Sequence, residues 1–250
     1  MCRLLGVVAR RPAALTDLLT PDLDPFLALA TEHADGWGVA RRTADGSVGI
    51  IKDPRPAGQD ARLRPLLDTT VTDAALLHLR MATPGSGVTL ANTHPFGDYR
   101  SAFAHNGDFF PVNALDDVVV PALPEAAEGD TDSERFHLAI RRRTDDGMDP
   151  VKAVLQAADD IRAHAERSAS LNCLLLTPNA LLAYAEHDPD SEVIARRGAD
   201  YFHLRYRKTA DAVVVASTGW PQPAPHWQRV PERGLLELVP GTLETRVHRR

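Results

Sequence analysis

The apolar run Arg3–Arg10 (RLLGVVAR) sets a strand at the head of the chain, and the order of elements behind it narrows the fold more than any other feature. A short Leu/Ala-rich helix is expected at Pro25–His33. A hairpin follows, Trp37–Arg41 and Ser47–Lys52 around Asp45-Gly46. Further strand patterns lie at Ala74–Met81 and Ser101–His105. Two helices then occupy the middle of the chain. Thr131 caps one over Asp132–Arg143, with Glu134 in the capping-box position. Asp149 and Pro150 open the other, which the pattern carries to about Ala169. Strands return at Leu171–Thr177, Leu181–Glu186, Tyr201–Arg205 and Ala212–Ser217, and Leu235–Val239 with Leu243–Val247 closes the chain as a hairpin. This is not the strict alternation of a doubly wound parallel sheet. The order predicts an α+β chain, with two antiparallel sheets and helices on the outside. Pro121–Asp130 reads as a surface loop rather than a boundary, so residues 1–250 are expected to form a single domain.

Composition excludes several classes of function. Hydrophobic residues are 44% and charged residues 25%, ordinary for a soluble globular chain. The net charge is −6, and basic residues cluster only at Arg141–Arg143 and in the tail His248–Arg250. Neither nucleic acid nor an acidic membrane surface is expected as a main partner. No apolar run is long enough to cross a bilayer. Arg3, Arg10 and Arg11 interrupt any signal-peptide pattern, so the expected location is cytoplasmic. The two cysteines are then expected to be reduced.

Five segments carry candidate chemistry. Cys2 follows Met1, and an aminopeptidase removes a methionine that precedes so small a residue. The product would hold a thiol and an α-amine on one residue, and an α-amine with a pKa of about 8 serves as a base near neutrality. Alternatively, Cys2 is a small residue before a buried strand. In HLRMAT (78–83), Arg80 ends a buried strand, where a guanidinium needs an anion and suits a carboxylate bidentately. NTHPF (92–96) follows a Gly/Ser loop. In AHNGDF (104–109), Asn106-Gly107 is either a hairpin turn or an amide and a backbone N–H offered to an oxyanion. In GDTDSE (129–134), Asp132 either serves the helix start or holds an ammonium group. The stretch His33–Gly38 (HADGWG) is a glycine-rich turn with a packed tryptophan or a binding element. Cys173 sits in an apolar run and reads as core. The ten histidines show no ligand spacing, so neither a metal nor a cofactor is expected.

The five segments, taken in order, resemble the class II glutamine amidotransferases, the N-terminal-nucleophile (Ntn) hydrolases that use cysteine. The family pattern is Met-Cys, H-x-R-x-A-T, N-x-H-P, H-N-G and D-T-D-x-E. The resemblance implies a four-layer αββα sandwich. It makes Cys2 the nucleophile with its own α-amine as base, and Asn106 and Gly107 the oxyanion hole. Arg80 would bind a substrate α-carboxylate and Asp132 an α-ammonium, while Thr83 and His94 would line the glutamine pocket. The chain is most similar to short stand-alone members, among them the amidohydrolases of the ergothioneine pathway, which cleave a γ-glutamyl amide. It departs from the family at Met81, often aromatic, at Pro84, and at Leu4, where that group has histidine after Cys-Arg. The implied reaction is hydrolysis of glutamine or a γ-glutamyl amide through a Cys2 thioester. The implied partner is that small molecule, with a separate ammonia-accepting synthase left open. An Ntn acylase for another amide and a non-catalytic member are the competing readings; the pair Arg80 and Asp132 counts against the acylase.

Overall fold

The computed structural model describes residues 1–83, 85–116 and 127–249. One sheet has seven strands, in the order β11 (Gln228–Arg229), β9 (Leu204–Lys208), β10 (Ala212–Ser217), β1 (Arg3–Ala14), β4 (Val71–Leu79), β2 (Trp37–Arg42) and β3 (Val48–Asp53). The other has six: β13 (Thr245–Arg249), β12 (Gly234–Leu238), β8 (Leu181–Ala185), β7 (Arg167–Leu176), β6 (Ser101–Phe110) and β5 (Phe96–Asp98). Every pairing between these strands is antiparallel.

Side-chain alternation builds the layers. Leu4 and Val8 of β1 and Ala74 and Leu76 of β4 turn inward, onto Ala104, Leu174, Leu176 and Leu181 of the other sheet. Leu5, Val7, Ala75 and Leu77, one residue out of step, pack beneath α1 (Leu15–Leu19), α2 (Leu23–Ala28) and α3 (Leu63–Thr69). On the far side, Phe103, Phe109, Leu171 and Leu175 meet α4 (Asp132–Asp145) and α5 (Pro150–His164) through Phe136, Ile140, Val154 and Ile161. The result is the expected helix–sheet–sheet–helix sandwich. Slipping β1 by one residue would exchange its two apolar faces, so the register is strongly set. Among the described residues, no helix is long and apolar enough to cross a membrane.

Several local expectations are corrected. The strand at Ser101 does not stop at a polar turn. It runs through Asn106-Gly107 to Phe110, with Gly107 opposite Leu171. A Cβ at Gly107 would lie 1.7 Å from the Ser170 carbonyl oxygen, so this glycine is demanded by a neighbouring strand and not by a turn. Helix α5 ends at His164 rather than near Ala169. Glu166 N–H donates to Phe110 O at 2.7 Å, and pairing with β6 claims the residues that follow. The strand expected at Tyr201–Arg205 lies at Leu204–Lys208, because Tyr201 and Phe202 pack into a side cluster with Ala169. Thr131 caps α4 as expected, accepting from Glu134 N at 3.2 Å. The Glu134 carboxylate does not complete the box; it accepts instead from Glu128 N and Gly129 N. Of the Pro121–Asp130 loop, residues 121–126 lie outside the described residues, as does Pro84.

Candidate active site

Cys2 immediately precedes β1, which runs between β4 and β10 near the middle of its sheet. Arg3 pairs with Leu79, so the chain leaving β4 passes beside Cys2, whose Sγ donates to Met81 O at 3.6 Å. A cavity of about 250 Å³ opens there. Cys2, Arg80, Thr83, His94, Gly107 and Asp132 all line it. They come from the start of β1, the end of β4, the approach to β5, the middle of β6 and the first residue of α4. The two sheets and the outer helix layer thus converge on one space.

Arg80 is 2% exposed, yet among the described residues no carboxylate pairs with it. Among the described residues its guanidinium donates to neutral oxygens alone: Asp35 O at 3.4 Å, Ser86 Oγ at 3.2 Å and Gly87 O at 3.1 Å. A buried cation without a counter-ion is costly, and a substrate carboxylate would supply one. Asp132 opens α4, with Oδ2 accepting from Phe109 N at 2.9 Å. Burial against the cavity wall raises its carboxyl above the ordinary range. An ammonium group in the cavity would favour the ionised form again.

Asn106 does not line the cavity. It is fully buried behind Gly107, with Nδ2 3.5 Å from Ser217 Oγ and Oδ1 without a partner among the described residues. Ser217 Oγ already accepts from Leu4 N at 3.1 Å, so its own proton is free to be given. Half a turn of the amide lets Ser217 donate to Oδ1 and leaves Nδ2 as an uncommitted donor.

His94 is 3% exposed, and both ring nitrogens lack a partner among the described residues. It stacks on His78 at 4.2 Å between centroids. Burial holds its pKa well below that of an ordinary imidazole, and lowers His78 to about 3, so both rings are neutral. His105 is neutral for the same reason and is held by Ser133 Oγ and Ser170 O. Burial raises the Cys2 thiol, while the ammonium of Met1 and, less strongly, Arg80 pull it down. The Met1 ammonium is itself lowered by burial and lies 3.0 Å from Met81 Sδ. Cys173 lies away from the cavity in the core with α4 and α5, where burial pushes its thiol well up. Among the described residues, no three His, Cys, Asp or Glu side chains are grouped to hold a metal ion.

Two supports were not readable from the motifs. Asp35 accepts from Ala82 N at 2.8 Å, and Asp35 N and Gly36 O bond the Arg80 backbone from both sides. HADGWG is therefore a brace for the arginine segment and does not itself line the cavity. Asn92 joins Gly87 O to Asp130, tying the loop after Thr83 to the start of α4. Long-range bonding of this kind leaves no local periodicity. Gly38, in β2 rather than a turn, has a steric role: a Cβ there would lie 2.1 Å from His94 O. Gly38→Ala should therefore cost about 3 kcal/mol or more, read as a lowered thermal midpoint. An unchanged midpoint would mean that the His94 segment yields freely.

The solved structures establish the fold's kinship. A glutamine aminotransferase class-II domain protein from Silicibacter pomeroyi superposes with a TM-score of 0.70 at 20% identity, covering 99% of both chains. The glutamine phosphoribosylpyrophosphate amidotransferase of B. subtilis superposes with a TM-score of 0.66 at 16% identity, over 99% of this chain and 49% of that one. In sequence, a gamma-glutamyl-hercynylcysteine sulfoxide hydrolase of Mycobacterium tuberculosis is 29% identical over 248 residues, 96% of this chain and 93% of that protein. The family model for glutamine amidotransferases class-II matches residues 1–245. On that match, which spans nearly the whole sequence and includes the cavity-lining residues, the chain belongs to the class II glutamine amidotransferases.

Proposed function

We propose that this enzyme hydrolyses the side-chain amide of glutamine or of an N-substituted γ-glutamyl compound, with Cys2 as nucleophile once Met1 has been removed. The observation that carries the reading is the lining of one cavity of about 250 Å³ by Cys2, Arg80 and Asp132. A thiol stands there with a cation and an anion suited to the two ends of an amino-acid head group. The similar Mycobacterium tuberculosis protein, named for hydrolysis of a γ-glutamyl compound, supports the same substrate class.

In this reading Arg80 grips the α-carboxylate and Asp132 the α-ammonium, leaving the side-chain amide at Cys2. Thr83 and His94 shape the wall around the chain between. The Cys2 α-amine takes the thiol proton, and the thiolate forms a bond to the amide carbon. The negative oxygen is held by the Gly107 N–H and by Asn106 Nδ2, which turns from Ser217 toward the cavity to reach it. The α-ammonium returns the proton to the nitrogen, the C–N bond breaks, and ammonia or an amine leaves a γ-glutamyl thioester. Water then attacks, giving its proton to the α-amine, and the thiolate departs from glutamate. No step calls for a metal or for a separate synthase. The groups come from both sheets and the start of α4 and work as a single domain.

Asn106→Ala is the test of the oxyanion role. It should lower kcat by about 10²–10³-fold with little change in KM, because the donor acts on charge that develops only in the transition state. Steady-state release of glutamate measures both constants. A raised KM at unchanged kcat would remove Asn106 from the chemistry.

A further inference from the structure

The cavity at Cys2 does not end at Thr83. Past Met81, Ala82, Thr83 and Asp108 it meets a second cavity of about 510 Å³, whose lining adds Met1, Val193, Arg196, Arg197 and Tyr201. The floor of this second space is apolar. The side chain of Met1 itself lies on it, packed with Val193 and Ile194 against a cluster of Ala169, Tyr201 and Phe202. Its rim is cationic. Arg197 is bound to Glu32 at 2.5 Å, but Arg196 has no carboxylate within ion-pairing distance among the described residues. The one carboxylate on the wall, Asp108, accepts from Ala169 N and faces Arg167.

We propose that this second cavity, widened when Met1 is removed, is the seat of the leaving amine, and that Arg196 reads a carboxylate on it. The inference rests on the Cys2 reading above and deepens it. Met1 gives the reach: joined to Cys2 by one peptide bond, it lays its side chain along the wall of this space. An amine departing from the tetrahedral adduct on Cys2 Sγ starts from the same residue. The ligand that fits is an amine with an apolar side chain and a carboxylate, an α-amino acid or a derivative of one. Ammonia, the leaving group of glutamine, would leave the apolar floor and Arg196 unused.

The test uses enzyme whose loss of Met1 is verified by mass, with three substrates: glutamine, γ-glutamyl-methionine and the methyl ester of its methionine carboxylate. The parent enzyme should favour the free acid over the ester in kcat/KM by about fivefold, the worth of a partly exposed ion pair. Arg196→Ala, a change at an exposed side chain, should erase that preference. Equal use of acid and ester by the parent, or a preference that survives Arg196→Ala, overturns the subsite while glutamine turnover still stands for the Cys2 reading. No hydrolysis of glutamine or of either amide overturns the Cys2 reading itself.

Discussion

Cys2→Ala is expected to lower turnover by about 10⁴-fold or more, since the covalent step loses its only nucleophile. The protein should stay folded. The substitution removes one sulfur at the end of a strand whose register is set by Leu4 to Ala9 against β4 and β10. Any loss of stability should stay within about 1 kcal/mol. A diazoketone analogue of glutamine should add one equivalent to the parent and none to Cys2→Ala. Cys173→Ala is the control. Its thiol packs against α4 and α5 and is raised further from ionisation by burial, so turnover and labelling should be unaffected. Label found on Cys173, or full turnover in Cys2→Ala, would sink the assignment. So would full activity in protein that still carries Met1, since the α-amine is then tied up in a peptide bond.

The second large effect concerns the substrate's head group. Esterifying the α-carboxylate of glutamine, or acetylating its α-amine, should lower kcat/KM by about 10³-fold or more, because a buried partner is left unpaired. Arg80 is the sharper half of that test: it is buried and, among the described residues, its guanidinium meets neutral oxygens alone. Asp132 adds a pH signature. Burial raises its carboxyl, so it gains a proton at a higher pH than an ordinary aspartate and then no longer holds an ammonium. With unblocked glutamine, kcat/KM should therefore fall as pH drops through that raised value. Asp132→Asn should be slow throughout and lack that limb. Rates measured across free, esterified and acetylated substrates settle the matter. If all three are cleaved alike, Arg80 and Asp132 only support the fold and the acylase reading takes over.

What the sequence made legible follows from which constraints are local. Cys2, Arg80, Thr83, His94, Gly107 and Asp132 sit in short motifs, and all six line one cavity. Two antiparallel sheets with outer helices could be read from the order of elements, and the four-layer arrangement from the family resemblance. The Asn106-Gly107 conformation could not. That dipeptide favours a two-residue turn on local grounds, but its backbone is fixed by Ser170, 63 positions on from Gly107, and by pairing with β7. The brace from Asp35 to Ala82 and the Ser217 contacts to Leu4 and Asn106 likewise join distant segments. Helix α5 was overextended because an alanine-rich stretch favours a helix until a neighbouring strand offers better hydrogen bonds.

The two sheets leave four free edges, and they are unequally defended against joining another chain. β11 offers two residues and β5 three, too little to seed a ladder. β13 carries Arg246 and His248, both engaged with Glu237. β3 is the exception. It is six residues long, among the described residues only Val48 N at its start bonds outside the hairpin, to Tyr99 O, and Ile51, no more exposed than Val247 of β13, stands beside Ile50 with no arginine or histidine in the strand. Long apolar edges invite intermolecular strand addition, so aggregation in concentrated solution would begin along β3, and a lysine at position 51 is the substitution that would close it.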